Sequence, residues 1–221
     1  MRAAVVAVGL AAVALAGPVA AQPSGRVVGT VRITEADGQP AAADVVVYVV
    51  GFNEPPGDKV TSIAQKGRKF VPDLIAITVG EKVEFPNFDP FLHNVFSQSP
   101  PRKFDLGSFP KGESKEKDFP VLGVVDVYCN IHPEMAATIL ILPNRRHVVA
   151  DPDGKFVLDG VPPGDWTVFA YTRRATKPIS AKVTVKAGAD AAVDLAIVRG
   201  AEPAHLNKYG EKYKDSGPTY H

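Results

Sequence analysis

The chain has a single cysteine, Cys129, which excludes any intrachain disulfide. It also lacks charge of one sign: 25 Lys and Arg stand against 24 Asp and Glu. No overall field therefore draws it to nucleic acid or to an anionic membrane surface. The uncharged apolar run over residues 3–16 is too short for a membrane span. No long stretch carries a helical period. Twenty prolines and nineteen glycines instead punctuate short runs rich in Val, Ile and Phe, a pattern that predicts an all-β chain. Neither a Ser/His/Asp set nor a paired-carboxylate constellation appears, so hydrolase, oxidase and reductase chemistry is not expected and the chain reads as no enzyme.

What is present begins with Arg2, the apolar run and Val19-Ala20-Ala21 before Gln22, which read as a secretory signal peptide over 1–21. Pro18 follows Leu15-Ala16-Gly17 where a lipid anchor would need cysteine. The expectation is a soluble protein exported to the periplasm. An exposed lone thiol oxidises in such a compartment, so Cys129 is expected to be either buried as a small apolar side chain or ligated to a metal.

Residues 27–33 and 45–50 predict two strands joined as a hairpin through Asp37-Gly38-Gln39-Pro40. Strands are then predicted over 60–64, 70–72, 74–79 and 82–85. Residues 97–117 read as a loop-rich excursion, with a solvated mixed-charge face over 111–118. Val125, Val127 and Cys129 share one strand face by the two-residue period, which points the thiol inward. Residues 137–142 close the set, and further short strands follow from 148 to 198. Residues 200–221 are poor in aliphatic side chains and read as an extended or mobile tail, whose tyrosines leave room for docking. His147, His205 and His221 are expected to be solvated.

The most informative stretch is Tyr128-Cys129-Asn130-Ile131-His132-Pro133-Glu134-Met135. A thiol, an imidazole and a thioether arrive within seven residues at the end of an apolar run. With one further imidazole they make the donor set of a copper electron-transfer centre, whereas structural zinc takes four stronger ligands and calcium takes oxygen. His93, inside the apolar segment 83–96, supplies that imidazole. The metal ligands expected are His93, Cys129, His132 and Met135. Glu134 is the competing fourth donor, and zinc is not excluded by affinity alone.

Phe70-Val71-Pro72, Val79-Gly80-Glu81-Lys82-Val83, Asn87, His93-Asn94-Val95 and Cys129-x2-His132-x2-Met135 together resemble the blue copper proteins, with a ligand loop most similar to that of the amicyanins. The likeness covers about 58–143. It implies a cupredoxin Greek-key β-sandwich holding one type 1 copper, with Asn94 bracing the ligand loop near the thiolate. It also implies electron exchange at the solvent edge of His132, with Pro90, Phe91, Leu92 and Pro133 as the apolar patch where redox partners dock. Residues 22–57 and 144–199 resemble the two halves of a carboxypeptidase regulatory-like, transthyretin-type β-sandwich. The amino-terminal segment is thus expected to pair with the carboxyl-terminal strands across an inserted copper domain. A sequence of this two-domain kind resembles proteins labelled as methylamine-utilisation or plastocyanin-like.

The function expected is transfer of single electrons between redox protein partners, without nucleic acid or a membrane span. The alternatives are a copper module for delivery, buffering or sensing, and a structural β-sandwich.

Overall fold

The computed structural model describes residues 23–177 and 179–213. The expected signal peptide and His221 lie outside the described residues. Among those residues every regular element is a strand, and no helix is long and apolar enough to cross a membrane. The strands run β1 (Gly25–Glu35) and β2 (Val46–Val50), then β3 (Thr61–Ser62), β4 (Ala64–Gln65), β5 (Phe70–Val71), β6 (Leu74–Thr78), β7 (Lys82–Pro86) and β8 (His93–Ser97). They continue as β9 (Phe104–Phe109), β10 (Ser114–Asp118), β11 (Gly123–Tyr128) and β12 (Ala136–Leu142). The last set is β13 (His147–Val149), β14 (Lys155–Val161), β15 (Gly164–Tyr171), β16 (Ile179–Val185) and β17 (Asp190–Arg199).

Two sandwiches result. One packs the sheet β14-β1-β17 against the sheet β13-β2-β15-β16 over a core that includes Val27, Val47, Val49, Phe156, Leu158, Val168 and Ile197. Its amino-terminal strands pair with strands more than 100 residues further along: Val27 stands opposite Leu158 and Ala191, and Val49 opposite Val168. At Gly29 a Cβ would stand 1.7 Å from the Val193 carbonyl oxygen, so the close approach of parallel β1 and β17 requires glycine there. The hairpin expected between β1 and β2 does not form. Both edges of β1 are taken by β14 and β17, so β2 crosses to the opposite sheet and the turn is closed by the bridge between Thr34 and Pro40 with a few backbone hydrogen bonds around it.

The other sandwich packs β10-β7-β3 against β6-β12-β11-β8-β9. Ile63, Ile77, Val83, Phe85, Phe109, Phe119, Val125, Val127 and Ile139 fill its interior. Residues 97–117 are not one loop, because they carry β9 and β10, which add to β8 and β7 as edge strands. In β10 a run of charged residues hid the period. Lys115, for example, lays its ammonium on the Leu106 carbonyl at 2.7 Å and over the Phe109 ring, while Glu116 faces solvent.

β12 explains why one run reads Ala-Ala-Thr-Ile-Leu-Ile-Leu without alternation. Ile139 and Ile141 face the interior of their own sandwich, while Leu140 and Leu142 join Val46 and Leu74 in a separate cluster with Tyr48 and Tyr171. A strand covered on both faces is apolar at every position. Contacts between sandwiches continue at Asn144, fully buried, whose amide donates to the Val49 and Phe52 carbonyls at 3.0 Å each. The loop between β11 and β12 is therefore carried by a sheet braced from behind. His147 is not a solvated turn residue: it opens β13 opposite Tyr48, and burial lowers its pKa.

Candidate metal centre

Cys129 follows the last residue of β11, and the buried alternation Val125, Val127, Cys129 continues through it, so the thiol enters the sandwich interior. His93 opens β8, the antiparallel neighbour of β11, at no solvent exposure. His132 and Met135 lie on the short connection to β12. That connection is closed by the Cys129 N–H donating to the Met135 carbonyl at 3.2 Å and the Met135 N–H donating to the His132 carbonyl at 3.0 Å.

Three donors converge. The Cys129 Sγ stands 3.9 Å from His93 Nδ1 and 3.8 Å from His132 Nδ1, and the two nitrogens are 3.0 Å apart. Metal bonds to nitrogen and sulfur of about 2.0–2.3 Å place neighbouring donors about 3–4 Å apart, so the cluster has the size of a coordination shell. Among the described residues it is the one group of three or more His, Cys, Asp or Glu side chains that close together. Met135 is fully buried in the same apolar cluster as Cys129, while Glu134 is exposed. Burial of the neighbouring position thus sends the thioether inward and the carboxylate to solvent.

The protonation of the rings follows from their other contacts. His93 Nε2 meets the Asp89 carboxylate at 2.8 Å, so Nε2 carries the proton and the Nδ1 lone pair is left for the cluster. Burial lowers the His132 pKa, helped by His93 and opposed by Glu134, which keeps that imidazole neutral and able to donate its lone pair. Asp89 is itself nearly buried. Burial pushes its pKa up, but the Arg68 N–H, His93 and the Gly67 N–H outweigh this and hold the carboxyl below its usual range. Those two N–H groups donate at 2.9 and 2.7 Å from consecutive left-handed residues, Gly67 at φ 65° and Arg68 at φ 56°. Such a pair makes an anion-binding concavity, and the positive φ at Arg68 costs about 1 kcal/mol that the carboxylate offsets. Asn87, fully buried, secures the same loop: its amide donates to the Phe91 and Phe109 carbonyls, and its oxygen accepts the Asp89 N–H.

Asn94 joins the two ligand segments. Its side-chain oxygen accepts the Asn130 N–H at 3.3 Å, and its amide donates to Asp105 at 2.7 Å. The Phe91 ring packs against both imidazoles, with centroids 5.1 Å from His93 and 5.5 Å from His132. Around it Phe88, Pro90, Leu92 and Ile131 are exposed, and Pro133 is half-buried. Sequence reasoning missed Asp89, Phe88 and Ile131. The one available signal for Asp89 was its place between Asn87 and His93 in a loop too short to leave a carboxylate free of both.

No protein-family profile matches this chain, and no curated protein sequence does. Among solved structures it is similar to a purple cupredoxin from Nitrosopumilus maritimus, at 24% identity over 37% of this chain and 98% of that one, with a TM-score of 0.34. It is also similar to amicyanin from Paracoccus versutus, at 20% identity over 43% of this chain and 96% of that one, with a TM-score of 0.34. A copper-containing nitrite reductase from Thermus scotoductus matches at 25% identity over 42% of this chain, with a TM-score of 0.37, and this chain spans 25% of its length. At these scores the donor geometry, not the likeness, carries the chemical reading.

Proposed function

We propose that this chain is an exported copper protein that carries one electron at a time between redox partners. His93, Cys129 and His132 would hold the metal as the strong donors, with Met135 as the weak axial one. The observation that carries the reading is the convergence of one thiol sulfur and two Nδ1 atoms within 4.8 Å, with the His93 tautomer set by Asp89. Thiolate, imidazole and thioether suit copper in both of its common oxidation states, and copper bound there supplies reversible one-electron exchange. The chain's own part is to keep the donors still. Cys129, His93 and Met135 are without solvent exposure, and the sheet that bears them is packed on both faces at β12. A buried thiolate in such a frame fits a carrier better than a delivery protein, which must open its site to release the metal. Absorption spectroscopy and cyclic voltammetry on the copper-loaded mature chain test this. Intense thiolate-to-copper visible absorption with a reversible wave is the expected outcome, and a colourless complex that surrenders copper quickly to a chelator would overturn it.

His132 is the half-buried donor, so electrons would enter and leave at its edge, inside the apolar rim of Phe88, Pro90, Leu92, Ile131 and Pro133. An exposed apolar patch around a redox edge suits brief, low-area docking. Leu92, 51% exposed, turns its side chain to solvent in this rim and reports on it. Leu92→Glu should slow electron self-exchange between two copies by about tenfold through lost apolar contact and like-charge repulsion, with an unchanged visible spectrum. Magnetic-resonance line broadening of mixed oxidised and reduced protein measures that rate, and an unaltered rate removes the patch from the exchange route.

A further inference from the structure

The carboxyl-terminal segment is not free along its described length. It lies over the outer side of the thiolate strand. His205 stacks on Tyr128 with centroids 4.0 Å apart and an interplanar angle of 12°, and Tyr213 closes edge-on against His205 at 5.3 Å. The Tyr213 hydroxyl donates to the Cys129 carbonyl at 2.9 Å. Burial pushes this phenol up to about 12, so it stays a donor.

Lys208 closes a ring of hydrogen bonds with the donor segments. Its backbone N–H donates to the Asn130 side-chain oxygen at 3.0 Å, and the Asn130 N–H donates to Asn94 at 3.3 Å. The Asn94 amide donates to one oxygen of Asp105 at 2.7 Å, and the Lys208 ammonium reaches the other at 2.8 Å. Gln98 fixes the Lys208 carbonyl at 3.0 Å. The residue after the thiol, the residue after the first histidine and the tail are thus tied into one circuit. Surface hydrogen bonds and ion pairs contribute little when isolated, but a closed network that bounds a site restrains all its members together.

We infer that residues 205–213 act as a clamp on the donor cluster, with Tyr213 and Lys208 as positioning residues that hold the Cys129 main chain and the Asn94–Asn130 bridge. The metal-dependent part of this rests on the copper reading above. The clamp slows opening of the loop that carries His132 and Met135, and it sets a hydroxyl on the Cys129 carbonyl and a cation on Asp105. Hydrogen-bond donors and positive charge around a thiolate site favour its reduced state.

The test uses the full mature chain carrying Tyr213→Phe and Lys208→Met together, with Lys208→Arg as the conservative control. Loss of such supporting contacts typically weakens metal sites by 10–100-fold. The double variant should release copper to a competing chelator about tenfold faster, show a lower reduction potential and a shifted charge-transfer band, while Lys208→Arg stays near the parent. In the metal-free chain, alkylation of Cys129 by iodoacetamide should accelerate by a similar factor, about tenfold. Unchanged potential, release and alkylation in the double variant overturn the clamp. Should the parent chain bind no copper, the functional reading fails alone, and the alkylation rate still decides the clamp.

Discussion

Replacing Cys129 by serine is expected to abolish the visible charge-transfer band and to weaken copper binding by at least a hundredfold, while the metal-free chain stays folded. The geometry separates these two outcomes. The thiol is buried in one cluster with Val127, Met135 and Ala137, where a serine hydroxyl is slightly smaller and can donate its one proton to the Nδ1 of either His93 or His132 after a small shift of the ring. A buried hydroxyl with a partner costs about 1 kcal/mol or less against a thiol, too little to unfold a domain of this size. Metal affinity behaves otherwise. The hydroxyl does not ionise near neutral pH, so the site loses its one anionic donor and keeps two neutral imidazoles and a thioether. Isothermal titration with copper and urea unfolding of the metal-free variant measure the two effects independently. A variant that still bound copper tightly with the band intact would remove Cys129 from the donor set.

The parts of this molecule that were legible in the sequence are those governed by a single local rule. A two-residue period through Val125, Val127 and Cys129 implies an inward thiol, and all three are fully buried. Runs of Val and Ile between turn residues imply strands, and the described chain is all-β. Legibility ended where a residue's environment is set by partners distant in the chain. β10 escaped because an edge strand can bury the stems of its lysines while showing their charges, which erases the apolar alternation, and β9 because Gly107 and the flanking Pro100-Pro101 and Gly112 read as breakers. The tail read as extended or mobile with tyrosines free to dock, but where it docks stayed hidden because that depends on three rings, Tyr128, His205 and Tyr213, that are 77 and 8 residues apart along the chain. His205 is accordingly half-buried and stacked, not solvated, and burial lowers its pKa. Apolar periodicity reports burial, and neither ring stacking nor a main-chain hydrogen bond leaves a period behind.

The same limit concealed Asp89, whose replacement by asparagine carries the second large expectation: copper affinity falls by 10–100-fold, and the reduction potential rises. The carboxylate accepts from three donors, with one oxygen on the Gly67 N–H and the other shared by the Arg68 N–H and His93 Nε2. An asparagine has a single acceptor oxygen. Turned so that its amide faces Gly67, it opposes a backbone donor and loosens the loop by about 1–3 kcal/mol. Turned the other way, its amide meets Arg68 and His93, and the imidazole can accept at Nε2 only by moving its proton to Nδ1, the atom the proposed metal would need. Either arrangement penalises the site. Removing a nearly buried negative charge one ring away from the metal also destabilises the oxidised state more than the reduced one, which fixes the sign of the potential shift. Asp89→Glu, which keeps the charge but lengthens the reach, separates the contributions: the potential should stay near that of the parent while affinity still drops. Voltammetry and copper competition on both variants read these quantities. An Asp89→Asn protein with unchanged affinity and potential would show that His93 is oriented by β8 packing alone, and that the carboxylate serves only to hold the Gly67 and Arg68 turn.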